Sequence, residues 1–120
     1  MRGRLFAVAL MALAANSCGW FEDNLQGCST ANVDLVNSIQ NTEPIHLLGP
    51  VESTSDATQL EPGESRRTTQ CLNRGDKTRY RAVVGPDVIA TIECVADRSS
   101  YEGVTIDVIW KRSGFSCEGW

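Results

Sequence analysis

Apolar residues are distributed in two ways along this chain. Residues 5–15 (LFAVALMALAA) form one uninterrupted apolar run of eleven, and beyond it apolar and polar positions alternate. A period of two puts every second side chain on the same face of a strand. Residues 33–39 place Val33, Leu35 and Ile39 on one face, and residues 45–48 make a second short strand. Residues 65–72 read as a polar strand carrying the pair Arg66-Arg67. Residues 78–84 set Tyr80, Ala82 and Val84 against Arg79, Arg81 and Val83. Val88, Ala90, Ile92, Cys94 and Ala96 form an apolar stripe, as do Val104, Ile106, Val108 and Trp110.

Between these stretches lies turn chemistry. It consists of Asn41-Thr42-Glu43-Pro44, Gly49-Pro50, Pro62-Gly63, Asn73-Arg74-Gly75-Asp76 and Gly85-Pro86-Asp87, with loops at 51–58 and 97–103. No stretch after the apolar run has a helical period. Half-buried strands separated by turns at this spacing predict an all-β domain, a small antiparallel β-sandwich of six to seven strands. The predicted domain spans residues 32–120, preceded by a tether at 18–31.

The apolar run has a different purpose. It follows Arg2 and Arg4, is too short to span a bilayer, and ends in Ala14-Ala15-Asn16-Ser17-Cys18, the order of a cleavable export signal over residues 1–17. Small residues before a cysteine resemble the lipobox of bacterial lipoproteins. That resemblance implies a lipidated Cys18 as the mature N-terminus, anchored in a membrane. With Gly19 rather than Asp next to it, the outer membrane of a Gram-negative cell is favoured. Ala15-Asn16-Ser17 also resembles an ordinary A-x-A signal site, and either reading exports the chain to the periplasm or cell surface.

Five cysteines, Cys18, Cys28, Cys71, Cys94 and Cys117, leave an even four for two disulfides if Cys18 carries lipid. Turns at 73–76 and 85–87 set both Cys71 and Cys94 opposite Thr78. In one flat sheet their Cα atoms would be about 9–10 Å apart, too far for a bond. A Cys71–Cys94 bridge therefore requires Cys71 to leave the sheet or strand 65–72 to cross to the facing one. That bridge is expected, with Cys28–Cys117 tying tether to tail; the other two connectivities stay open.

Charge removes some function classes. Without Arg2 and Arg4 the chain carries nine basic against fifteen acidic side chains, a net charge of −6, which argues against nucleic acid as a partner. Chemistry is sparse. The single histidine, His46, is expected on the exposed strand face opposite Ile45 and Leu47. Cysteine gaps of 43, 23 and 23 residues contain no zinc spacing, and neither Asp87 nor Asp97 opens a calcium loop. No metal or cofactor is expected. Gly63, Gly75, Gly85 and Gly103 sit singly in turns rather than in a phosphate loop.

The order of strands and turns over residues 32–111 resembles small immunoglobulin-like β-sandwich domains of bacterial surface proteins. The expected function is that of a membrane-tethered cell-envelope lipoprotein, with a non-enzymatic module that binds or supports a protein partner through a strand edge or loop. Two other readings are kept. One is a secreted inhibitor or adhesin acting through loop 73–76, where Arg74-Gly75-Asp76 matches the integrin-binding tripeptide, or through loop 97–103. The other is a small hydrolase with a carboxylate site.

Overall fold

The computed structural model describes residues 27–112 and 114–120. The signal at 1–17, the lipidation candidate Cys18 and most of the tether lie outside the described residues. Seven strands are present: β1 Ser29–Asn37, β2 His46–Leu48, β3 Ser65–Leu72, β4 Lys77–Val84, β5 Asp87–Val95, β6 Thr105–Lys111 and β7 Gly114–Glu118. They form two sheets, ordered β3-β1-β6-β7 and β2-β4-β5. The fold is the expected all-β sandwich with two disulfides. Pairing is antiparallel except between β1 and β6, which run parallel. β1 starts at Ser29, within the stretch read as tether.

Alternation explains which faces meet. Ala31, Val33 and Leu35 of β1 pack with Ile106 and Val108 of β6 against Leu47, Tyr80, Ala82 and Cys94 of the other sheet, all essentially buried. Burial of such side chains contributes about 1.5–3 kcal/mol each and is the main force holding the sheets together. The polar half of each strand faces outward. Across the β3-β1-β6-β7 sheet, register aligns Arg67, Asp34, Asp107 and Glu118 in one row.

Three apolar positions depart from the expected stripes. Ile39 is 82% exposed because β1 ends at Asn37. Val84 and Val88 are also exposed. The two-residue Gly85-Pro86 loop pairs Val84 with Asp87, one residue earlier than expected, and a bulge at Ala82/Val83 then restores Tyr80↔Ile92 and Thr78↔Cys94. A bulge inserts one extra residue and re-aims its neighbours. Val83 is buried in place of Val84.

The disulfides join Cys28 to Cys71 and Cys94 to Cys117, with Cα–Cα distances of 5.4 and 5.8 Å. This corrects the expected Cys71–Cys94 and Cys28–Cys117 pairing. Strand 65–72 does lie in the facing sheet, one of the two arrangements that a bridge to Cys94 requires. However, Cys71 shares the parity of exposed Ser65, Arg67 and Thr69, whereas Cys94 is buried between the sheets. The two thiols therefore lie on different faces. Cys71 lies opposite Thr30, next to the start of β1, where Cys28 reaches it. Cys94 meets Cys117 on β7, a strand the sequence pattern did not predict.

Polar side chains fix the irregular connections. After β2, Glu52 pairs with Arg66 of β3, and Arg81 of β4 donates to the carbonyls of Gly49 and Glu52. Glu52 also accepts from Gly49 N–H at 2.7 Å. Burial opposes ionisation of Glu52, but the Arg66 hydrogen bond and charge and the Gly49 N–H outweigh it and hold the carboxyl below its ordinary range.

Between β5 and β6, Tyr101 is fully buried, and its hydroxyl accepts from Asp97 N–H at 2.9 Å and Arg98 N–H at 3.2 Å. A tyrosine bonded to backbone just upstream closes corners in many β-sandwiches. Tyr101→Phe leaves both N–H groups without this acceptor and is expected to cost about 1–3 kcal/mol, measured by chemical denaturation.

Candidate functional site

The two-residue overrun of the expected first strand, Ser38-Ile39, marks the start of a built loop. At its base Asn37 is fully buried. Its Nδ2 donates to the carbonyls of Glu43 at 3.1 Å and Leu60 at 2.9 Å. Its Oδ1 accepts from Asn41 Nδ2 at 2.7 Å, and Asn41 Nδ2 also donates to the Trp110 carbonyl at 2.8 Å. Ile45 and Leu60 exchange backbone hydrogen bonds of 2.9 and 2.8 Å. These bonds hold loop 38–45 away from the β4–β5 hairpin.

The space left between them is a cleft of about 370 Å³. Loop residues Gln40, Thr42, Glu43 and Pro44 line one side, and Val84 and Ile89 line the hairpin side. Trp110 and Arg112 from the end of β6 contribute the rest. Trp110 is braced edge-on by Phe115, with ring centroids 5.1 Å apart. Among the described residues, neither the Glu43 carboxylate nor the Arg112 guanidinium makes a hydrogen bond or ion pair. Apolar walls, one aromatic and two uncommitted charges of opposite sign are features that ligand and partner clefts share. Its lining offers a single carboxylate and no histidine or cysteine, which is not an acid–base pair.

The residues singled out in the sequence lie elsewhere. His46 is half-buried rather than exposed, paired with buried Val83, with Nδ1 buried and without a hydrogen-bond partner. Edge strand β2 pairs with β4 there, and that lateral cover is not visible in an alternating sequence. In turn 73–76, the Asp76 carboxylate accepts from Asn73 N–H at 2.7 Å, and Gly75 N–H donates to the Ala96 carbonyl at 2.7 Å. The Arg74-Gly75-Asp76 acid is therefore engaged in its own turn. Among the described residues no group of three His, Cys, Asp or Glu side chains could hold a metal, and no helix is long and apolar enough to cross a membrane.

Carboxylates do come together at Asp34, Asp107 and Glu118, but on the open face of the sheet rather than in the cleft. Arg67 caps the row at 2.8 Å from Asp34. Burial, with the charges of Asp34 and Glu118, raises the Asp107 carboxyl above its ordinary value against the weaker pull of Arg67. A raised acid binds its proton more tightly in the folded than in the unfolded state. Its ionisation thus costs stability as pH rises through the raised value, a cost absent below the unfolded one. Asp107→Asn is expected to raise the melting temperature at neutral pH and to leave it unchanged near pH 3, read by thermal unfolding at the two pH values.

Comparison of the chain with protein-family models, with characterised proteins and with solved structures finds no match.

Proposed function

We propose that the protein is a membrane-tethered cell-envelope lipoprotein whose β-sandwich is a non-enzymatic binding module for a protein partner. In this reading, lipidated Cys18 is the anchor and the cleft beside the β4–β5 hairpin is the recognition surface. The two disulfides are consistent with an extracellular or periplasmic location. The Tyr101 corner and the two-sheet core support an immunoglobulin-like reading of the domain.

The observation that carries the proposal is the placement of the cleft. The chain enters the domain at Cys28–Cys71, at the start of β1, while the cleft lies beyond its end at Asn37. Nine strand residues separate them, about 30 Å. The described part of the chain therefore begins at the end of the sandwich away from the cleft. Turn 73–76 and loop 97–103, the sites of the adhesin or inhibitor reading, lie at the entry end.

Photo-cross-linking in intact envelopes tests the proposal. A cross-linker at Thr42 or Arg112 is expected to give one discrete protein adduct, and one at Thr69 on the opposite sheet's outer face none. Equal labelling from all three positions, or none from the cleft, overturns the recognition reading. Cys18→Ser is expected to release the protein to the soluble fraction. A mature form beginning at unmodified Cys18 or Gly19 overturns the anchor.

A further inference from the structure

Among the described residues, Arg112 is the one arginine without an acceptor. The other six each reach a carboxylate or a backbone carbonyl. Arg112 lies just past the end of β6 and lines the cleft, as does Glu43 on the loop wall. Both are exposed, and no ion pair joins them. The hairpin wall and the end of β6 add an apolar surface. Val84 and Ile89 are exposed there, Ile89 as the unpaired residue of the bulge, and Trp110 is held by Phe115.

We infer that the cleft holds the C-terminal residue of the partner protein. The apolar side chain of that residue lies on Val84, Ile89 and Trp110, its carboxylate on Arg112, and its backbone N–H points to the Glu43 carboxylate. This rests on the cleft being the recognition surface proposed above.

Charge and size select a chain end. A planar guanidinium pairs a carboxylate through two parallel hydrogen bonds, so an α-carboxylate matches Arg112. A helix docks through apolar anchors repeated along a groove. Here there is one short apolar surface, and a volume of about 370 Å³ is at the low end for a ligand pocket. An internal extended segment supplies an apolar side chain but leaves Arg112 facing a neutral peptide group. An acidic side chain at its next position projects to the opposite face, and one two positions on lies about 7 Å along the strand and requires a longer cleft. A chain N-terminus offers an ammonium to Glu43 but nothing anionic to Arg112. A C-terminal residue carries side chain, N–H and carboxylate together, so all three enter at once.

The photo-cross-linker at Thr42, in intact envelopes, separates the chain end from the recognition surface. Mapped by mass spectrometry, its adduct is expected within the last three residues of the partner. An adduct at an internal segment or an N-terminus overturns the chain end and leaves the recognition surface standing, whereas no adduct removes both. Fluorescence anisotropy with the full chain purified in detergent tests the chemistry. The probe is a pool of labelled pentapeptides, random at the first four positions and ending in leucine. The free-acid pool is expected to bind about tenfold more tightly than the same pool with a C-terminal amide, the effect of one charge-assisted hydrogen bond. Arg112→Gln is expected to lower free-acid binding to the amide level, with amide binding and the melting curve unchanged. No difference between the two pools, or free-acid binding untouched by Arg112→Gln, overturns the inference.

Discussion

Replacing Cys94 and Cys117 together with alanine is expected to destabilise the domain by about 3–4 kcal/mol, the chain-entropy value for a closed loop of this length. The bridge spans 23 residues and joins β5 to β7, outer strands of different sheets. Sheet hydrogen bonding does not cross between them, so the disulfide and the side chains around it hold that side of the sandwich closed. Losing Cys28–Cys71, which spans 43 residues, is expected to cost about 4 kcal/mol by the same model.

The two loops are disjoint in sequence, so the losses should nearly add. Their sum of about 7–8 kcal/mol is comparable to the whole stability of an ordinary domain, roughly 5–15 kcal/mol. The fully reduced chain is therefore expected to be largely unfolded, while each single knockout retains the fold. Denaturant titrations of wild type, the two paired alanine variants and the reduced protein measure this. Equal midpoints for oxidised and reduced protein would contradict the stapled core.

The pairing also shows where sequence reading stops. Alternation placed the core faces of β1, β4, β5 and β6 because a period of two is a local property. It also contained the clue to the cysteines. Cys71 precedes buried Leu72 and follows the parity of Arg67 and Thr69, and Cys94 follows the parity of Ile92. Tracking face as well as level would have ruled out Cys71–Cys94. The parallel contact of β1 with β6 joins residues about seventy positions apart, and no local pattern encodes it. Strand β7 was missed because Phe115 and Cys117 give too few alternations in five residues.

The cleft was less legible than the fold. Asn41-Thr42-Glu43-Pro44 was visible as a turn, but its role as a wall depends on Val84, Ile89 and Trp110 from distant strands. The bulge near Val83 leaves Val84 and Ile89 exposed, and strict alternation gives no sign of it. Asn37 went unnoticed for a related reason. It occupies the next inward position after Val33 and Leu35, where a polar residue reads as the end of a strand rather than as part of the core.

That position carries the second large effect. Asn37→Leu is expected to cost about 1–3 kcal/mol and to deform the cleft. The side chain is wholly buried and makes three hydrogen bonds, two donated to the Glu43 and Leu60 carbonyls and one accepted from Asn41. Leucine has similar volume and adds apolar burial, yet it satisfies none of these groups. The Leu60 carbonyl keeps the Ile45 N–H and Asn41 keeps the Trp110 carbonyl. The Glu43 carbonyl is therefore the group that loses its partner, at about 1–3 kcal/mol, and the other two bonds are lost from groups that stay partly satisfied. Asn37→Asp separates shape from donation, because it keeps the acceptor for Asn41 and loses both donors to carbonyls. It should therefore destabilise as well, most strongly at neutral pH, where a buried carboxylate would face two carbonyl oxygens. Lowering the pH to protonate it should recover part of the loss. Unfolding curves at two pH values check the energetics, and hydrogen exchange across residues 38–45 checks the structure: faster exchange there, with β4 and β5 unchanged, is the expected signature. Wild-type stability in Asn37→Leu would mean that loop 38–45 is held by its backbone bonds alone.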